Sequence, residues 1–455
     1  MMRPFLWDPW RMADADPRRP AVIAGADSCT FGELVTRADT LGQGLRALGV
    51  ADDQVVSTDL PSGPKFFALT LAALKYGFGL LPVNDGLLDV PAGRRLIAQA
   101  GARMHVSDDP GVDVVSVPEQ ELHAAGRSEH PRFRAGGAGR AGYLIFVTSG
   151  TTGFPTLVRR ARPWYPYKGV AVVDRYAAGP AAGPHIMSNP TFHLGTVGPA
   201  LYALQAGSTV VVQQQWSPGA FVELVDRCRA DSAFISADRL VELVGYQRWG
   251  RHRPGAVFHG GSSCPPWVKR AAIDMMGPIL HEYYGTSAAV ISEISASDWL
   301  GRPGSVGRPL PGVKVEIMAD GAAQPVGAVG EIVVRPRAID RTGESTIHTG
   351  DLGYRDESGH LYVLGRITSR QDWPAARLEH AIRSVRGVFD CVVPGTESDP
   401  PTCHIEGDVR AAERIAAEAR QSAARLGFPQ VTIDIRAFGS FRRTPSGKIE
   451  RRSLQ

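Results

Sequence analysis

The chain has 455 residues, of which 43% are hydrophobic and 21% charged, and its formal net charge is +4. That length exceeds one ordinary core and predicts at least two domains of a soluble globular protein. The modest charge argues against a dedicated nucleic-acid binder. The longest apolar stretch, Phe66–Leu74, is too short to span a membrane, so neither nucleic acid nor membrane is an expected partner.

From the N-terminus, residues 1–20 carry charges and aromatics but no signal-like apolar core, so a cytoplasmic location is expected. Phe31–Leu48 has apolar residues at helical spacing, with Thr30 as N-cap and Gly49 as stop. Gln54–Thr58 reads as a strand, Ser62 as the cap of a helix through Leu74, and Leu80–Val83 as a short buried strand. Such alternation implies an α/β sheet with covered faces. Arg127–Arg140 reads as a polar surface loop before an apolar strand at Tyr143–Val147. Val170–Arg175, Thr209–Gln213, Phe234–Ser236 and Ala256–His259 continue the strand series. From Val313 to Tyr362 the pattern turns β-rich, with strands at Val313–Met318, Gly330–Arg335 and His360–Val363. The remainder, from about residue 370, reads as a small α+β unit. Its helices fall near Ala375–Val385 and Ala411–Leu426 and a strand at Val431–Arg436. The five cysteines are scattered without metal-ligand spacing, which suggests reduced thiols.

The stretch Thr148-Ser149-Gly150-Thr151-Thr152-Gly153 ends the Tyr143 strand in six residues that are all hydroxyl-bearing or glycine. A turn of this kind offers backbone N–H groups and hydroxyl donors to a polyphosphate. It is not the P-loop of the nucleotidases, because no Gly-Lys-Ser/Thr follows. Only six of the 50 basic residues are lysine, which makes Lys448 worth noticing within Pro445-Ser446-Gly447-Lys448-Ile449.

Thr148–Gly153 with Pro155 resembles the phosphate loop of the adenylate-forming superfamily: acyl- and aryl-CoA synthetases, adenylation domains of peptide synthetases, and luciferases. Further segments match that family in order. Pro190-Thr-Phe-His193-Leu-Gly195 is similar to its segment beside the acid pocket, and Gly260-Gly261-Ser262 to its adenine-binding turn. Tyr283-Tyr284-Gly285-Thr286-Ser287 resembles its Tyr-Gly-x-Ser/Thr-Glu motif, Asp351 its ribose-binding carboxylate, Arg366 its hinge-side arginine, and the Lys448 loop its catalytic-lysine loop. The resemblance implies ATP bound by Thr148, Ser149, Gly150, Thr151, Thr152, Gly153, Gly260, Gly261, Ser262, Tyr283, Tyr284, Gly285, Thr286, Asp351 and Arg366. It places the acid at His193 and Gly260, and catalysis at Lys448. It also implies the architecture: a large N-terminal domain of stacked α/β sheets with a β-rich subdomain over 1–366, and a small mobile α+β C-terminal lid over 367–455. Lys448 would neutralise the approaching carboxylate and α-phosphate. Asp351 would accept from both ribose hydroxyls. Phe192-His193-Leu194-Gly195 offers no aspartate for an α-ammonium, which favours an acyl or aryl acid.

Three departures from the family shape the functional reading. Pro155 is followed by Thr156 and Leu157 instead of Lys-Gly, leaving Arg159 or Arg160 as substitutes for the cation. The glutamate that serves the family as magnesium ligand is Ala288, so an altered Mg²⁺ site is expected, no residue is read as a metal ligand, and Glu293 is merely near in sequence. After Gly365-Arg366, residues 367–373 run directly into Pro374–Glu379, without the hinge Asp and the glycines of the loop that shapes the thioester-forming state. The expectation is an acyl-CoA-ligase-like, AMP-forming ligase that activates a small, acyl or aryl acid, with CoA as the leading acceptor and the second half-reaction left open. The alternatives are an amine acceptor, as in an amide synthetase, or the diazotase-like branch that uses ATP to couple nitrite to an arylamine in bacterial secondary metabolism. A reading of another class is a non-catalytic nucleotide- or acyl-binding paralogue. Oligomeric state is not legible.

Overall fold

The computed structural model describes residues 9–83, 91–108, 116–117, 119–127, 142–148, 156–161, 183–192, 194–336, 346–367, 369–396, 400–443 and 449–454. Two sheets face each other across buried helices. The first has six strands, with Val55–Thr58, Gly79–Pro82 and Ala102–Val106 running parallel at its centre. Tyr143–Thr148 extends this parallel set, and Thr156–Ala161 returns antiparallel on its edge in the register Thr148↔Thr156. The second is a continuous 14-stranded array. One half is largely parallel and contains His185–Met187, Val210–Val212, Ser232–Ser236, Ala256–Gly260 and Leu280–Gly285. Its other half is the antiparallel β-rich region expected from residue 313 onward.

The helix Pro64–Tyr76 is apolar all round, which is the pattern of a helix buried between layers. Phe66, Phe67, Leu69 and Leu71 are essentially inaccessible, and each contributes roughly 1.5–3 kcal/mol by leaving water. They join one core with Val22 and Val210 of the large sheet and Leu80 and Phe146 of the six-stranded sheet. The expected cap at Ser62 is wrong by one residue. Gly63 is the N-cap, Pro64 supplies the preset φ of the first turn, and the Ser62 hydroxyl instead lies 3.4 Å from Thr191 Oγ1. Helix Phe31–Ala47 starts and stops as expected: Thr30 and Glu33 form a capping box, and Gly49 takes a φ of 86°.

The fold class is the expected one, a large sheet-rich N-terminal domain and a smaller C-terminal domain. The small domain is built on a three-stranded sheet, Val388–Val392, Thr402–Gly407 and Thr432–Arg436. Helices Trp373–Arg383 and Ala412–Arg425 cover it around Leu378, Ile382, Ile405 and Ile415. The first of these helices also packs on strand Leu361–Arg366, where a Cβ on Gly365 would lie 3.1 Å from that of Ala376. Ile367 is buried with Leu352, Leu364 and Ala376, and its N–H donates to Gly350 O at 2.9 Å. At the junction of the two domains, Trp267 Nε1 donates to Val388 O at 2.7 Å, and the indole meets Phe389 with ring centroids 5.5 Å apart. The expected loop at 127–140 (beyond Arg127) and strand at 170–175 lie outside the described residues. No helix among the described residues is long and apolar enough to cross a membrane.

Candidate active site

Strands Ile347–Arg355 and Leu361–Arg366 pair so that Asp351 faces Arg366 across the ladder. Arg366 Nη1 donates to Asp351 Oδ1 at 2.9 Å and to Thr349 O at 2.8 Å. From the parallel half of the same sheet, the Tyr284 hydroxyl donates to Asp351 Oδ2 at 2.7 Å. Burial and the Asp351 charge push the Tyr284 phenol well above its ordinary value, so it stays a donor at neutral pH. Each oxygen of Asp351 thus accepts one fixed bond and keeps capacity for another, as the two hydroxyls of a ribose require. Three sequence-separated candidates, Tyr284, Asp351 and Arg366, are brought into one constellation.

Tyr283, the neighbour of Tyr284, points to the opposite face of its strand. It stacks on Phe258 with centroids 5.2 Å apart and planes at 14°. Phe234 joins this aromatic group, and the Leu194–Ala206 helix approaches it so closely that a Cβ on Gly195 would lie 3.2 Å from the Phe234 ring. Gly260 ends the adjacent strand, where a Cβ would come within 2.6 Å of Tyr283 O; Gly261 follows at φ 91° and turns the chain toward Ser262. The aromatic face beside Gly260 and Tyr283 suits a flat apolar acid. Phe221, by contrast, is fully buried in the core beside Leu224 and Val225.

Thr286 opens a tight turn closed by its N–H to Ala289 O at 2.8 Å. Its hydroxyl oxygen accepts from the N–H of Ala288 at 3.2 Å, leaving its own proton to donate. Arg159 and Arg160 part company here. Arg159 is held by Asp53 and lies over the Tyr143 ring at 3.4 Å. Arg160, 7% exposed, reaches across from the six-stranded sheet and donates to Ala288 O. Among the described residues none is placed to hold a magnesium ion. Ala288 has no ligand atom, Glu293 is turned inward with Oε1 3.4 Å from His281 Nδ1, and no cluster of three or more His, Cys, Asp or Glu with metal-holding geometry exists among the described residues.

Ser149, Gly150, Thr151, Thr152, Gly153, His193 and Lys448 lie outside the described residues; Thr148 is the last residue of its strand. Both flanks of the Lys448 loop are described. Arg443 pairs with buried Glu406, Arg451 with buried Glu379, and Arg443 bridges Ile449. Sequence reasoning assigned these arginines no role. The signal for them was two carboxylates beside apolar residues, Glu379 on the helix face of Ala375 and Ile382 and Glu406 next to Ile405 in a strand.

A family model described as AMP-binding enzyme matches residues 10–341. The chain belongs to the AMP-binding enzyme family. The expected resemblance is borne out: this is an AMP-forming, adenylate-forming ligase. Enzymes of the AMP-binding family use ATP and Mg²⁺ and join an acid to an acceptor such as CoA or an amine. The sulfoacetate–CoA ligase of Cupriavidus necator is 27% identical over 489 residues, spanning 96% of this chain and 94% of its own. The amide bond synthetase McbA from Marinactinospora thermotolerans superposes with a TM-score of 0.79 at 25% identity over 98% of each chain. The o-succinylbenzoate CoA synthetase MenE from Bacillus subtilis, solved with ATP and magnesium ion, shares the fold with a TM-score of 0.80 at 20% identity, again over 98% of each chain.

Proposed function

We propose that this ligase adenylates an acyl or aryl carboxylic acid and passes the acyl group to an amine, forming an amide. The observation that carries this reading is the short, packed connection between the domains. Helix Trp373–Arg383 sits directly on strand Leu361–Arg366, and Ile367 is buried beneath it. We take residues 1–366 and 367–455 as the two domains, with little slack between them. A thioester-forming state that requires the lid to rotate is thereby disfavoured, whereas a small amine needs no such rotation. McbA supports the same reading as an amide bond synthetase.

In the first step, a carboxylate oxygen of the acid attacks the α-phosphorus of ATP. The bond to the β-phosphate oxygen breaks and pyrophosphate leaves. Lys448 neutralises both anions, the Thr148–Gly153 loop cradles the phosphates, and Asp351 with Tyr284 and Arg366 holds the ribose. Gly260, Gly261 and Ser262 border the adenine, and His193 and Gly260 border the acid. In the second step, the amine nitrogen attacks the acyl carbonyl carbon, the bond to AMP breaks, and the nitrogen gives up one proton. The altered turn at Ala288 leaves charge balance on this side to Arg160.

The CoA reading is supported by the sulfoacetate–CoA ligase, which aligns with 96% of the chain. Product masses from reactions with a panel of aryl acids and ATP, each offered CoA, arylamines or nitrite, separate these outcomes. An amide is expected. A thioester with CoA and no amide would overturn the acceptor assignment, a diazo product would point to nitrite chemistry, and absence of pyrophosphate release with every acid would leave a binding paralogue. Lys448→Ala is expected to abolish measurable acid-dependent pyrophosphate release; intact turnover would refute the mechanism.

A further inference from the structure

At the carboxyl ends of three neighbouring parallel strands, the large sheet gathers polar atoms that nothing among the described residues satisfies. His185–Met187 leads into Ser188 and Asn189, Val210–Val212 into Gln213, and Ser232–Ser236 into Ala237 and Asp238. The register Met187↔Val212 and Met187↔Phe234 sets these three ends side by side. Gln213 N–H donates to Met187 O at 2.9 Å, and Asn189 Nδ2 lies 3.0 Å from Ser236 Oγ, so the loops are stitched together. Ser188 Oγ, Asn189 Oδ1, Gln213 Oε1 and Asp238 Oδ1 are all buried without a hydrogen-bond partner among the described residues. Ser188 is 5% exposed and Gln213 8%.

The orphans share one chemistry: all four are oxygens. Gln213 spends its Nε2 on Ser217 O at 3.3 Å, and because a carbonyl can only accept, this fixes the amide orientation and leaves Oε1 as a true acceptor. Buried acceptors left unpaired are costly and rarely gather without a purpose. The carboxyl ends of parallel strands are where open α/β sheets receive ligands. Beside Asp238 a narrow, partly open cleft lies between the domains, bordered by Val241, Ser262, Ser263, Phe389, Asp390, Phe438 and Arg443. Of the four orphaned residues Asp238 borders it, between the turn at Ser262 and the phenyl rings of the small domain.

We propose that Ser188, Asn189, Gln213 and Asp238 form the recognition site for a primary amine. An ammonium group brings three donors and no acceptor, which matches a set of acceptor oxygens, whereas a hydroxyl brings one donor and an acceptor of its own. Asp238 supplies the charge, although Arg239 beside it bonds to Ser188 O and, with Arg443 in the cleft wall, tempers the field; an ammonium bound here as acceptor would release one proton, to Asp238 or to solvent, before its nitrogen attacks. A thiol gains little here, since its thiolate would be repelled by Asp238. The Phe389 and Phe438 rings would pack on an aromatic body behind the nitrogen. This proposal rests on the amide reading for the amine's role as acceptor; the same chemistry would also receive an amine carried by the acid itself.

The test uses the full-length protein and two probes of matched shape, benzylamine and benzyl alcohol, with binding followed by ligand-observed NMR or calorimetry. Benzylamine is expected to bind at least tenfold more tightly. Asp238→Asn and Gln213→Met, each checked for an unchanged thermal midpoint, are expected to weaken the amine at least tenfold and the alcohol little. Equal affinity for both probes in the unaltered protein would overturn the site without recourse to any variant, as would undiminished amine binding in two folded variants. Pyrophosphate exchange then distinguishes the sources. If acids lacking an amine support exchange, the site serves the acceptor; if only amino-bearing acids do, it serves the acid. Amide formation with an amine KM unmoved by Asp238→Asn would sink this site and leave the amide reading standing. Selective amine binding in a protein that yields only thioesters would do the reverse.

Discussion

Arg160 shows how one side chain takes on meaning from a change elsewhere. A guanidinium on a strand interior is costly unless its donors are met, and here one is met by the backbone of the turn that carries Ala288. The charged hydrogen bond ties the Thr286 turn of one sheet to the hairpin of the other. Arg160→Gln removes a bond worth ~1.5–3 kcal/mol, so the KM for ATP in pyrophosphate exchange should rise roughly tenfold or more. An unchanged KM would reduce Arg160 to a packing residue. Asp351→Asn keeps the shape but weakens an acceptor already shared by Tyr284 and Arg366. It should raise the same KM by a comparable factor, and a value within twofold of the parent would remove Asp351 from the nucleotide site.

Among the elements, the strands Ala256–Gly260 and Leu280–Gly285 carry the site on one end and a buried ion pair behind it. Lys269 Nζ lies 2.6 Å from Glu282 Oε2, with Lys269 1% exposed. Lys269→Met strands a buried carboxylate and should cost about 3–5 kcal/mol in urea denaturation, and adding Glu282→Leu should recover most of it. A single variant as stable as the parent would contradict this. Elements with their own caps and period were legible before any coordinates: Thr30, Glu33 and Gly49 bracket one helix unaided. The strands Val388–Val392 and Thr402–Gly407 were not, because Asp390, His404 and Glu406 interrupt their apolar runs. Those residues are tolerated where Arg383, Asp434 and Arg443 meet them from elsewhere in the chain. Thr156–Ala161 hid for the same reason, since Arg159-Arg160 reads as a charged loop until Asp53 and Ala288 are placed opposite. The ordered motifs of the site were legible as residues; their convergence on Asp351 was not, because it depends on strand register.

For the molecule as a whole, several histidines are buried as neutral rings. Desolvation lowers His185 to about 3 and His380 to about 4. The unfolded chain takes up protons near pH 6.5 while the folded one does not, so stability is full above that value and is lost as pH falls toward 4. Each ring should cost roughly 1–2 kcal/mol between pH 6.5 and 5, read as a falling urea midpoint; a midpoint flat over that range would show that these rings are not buried as described.

The Trp267 contact gives the catalytic cycle an optical trace. Its indole is bonded to Val388 O and shielded by Phe389, so its emission belongs to a dry, hydrogen-bonded setting. Any swing of the small domain would break that bond and bring water to the ring, shifting the emission to longer wavelength. If acyl transfer proceeds under a stationary lid, the colour contributed by Trp267, isolated by comparison with Trp267→Phe, stays constant through adenylation and release. A red excursion that appears only when the acceptor is added would time the opening directly.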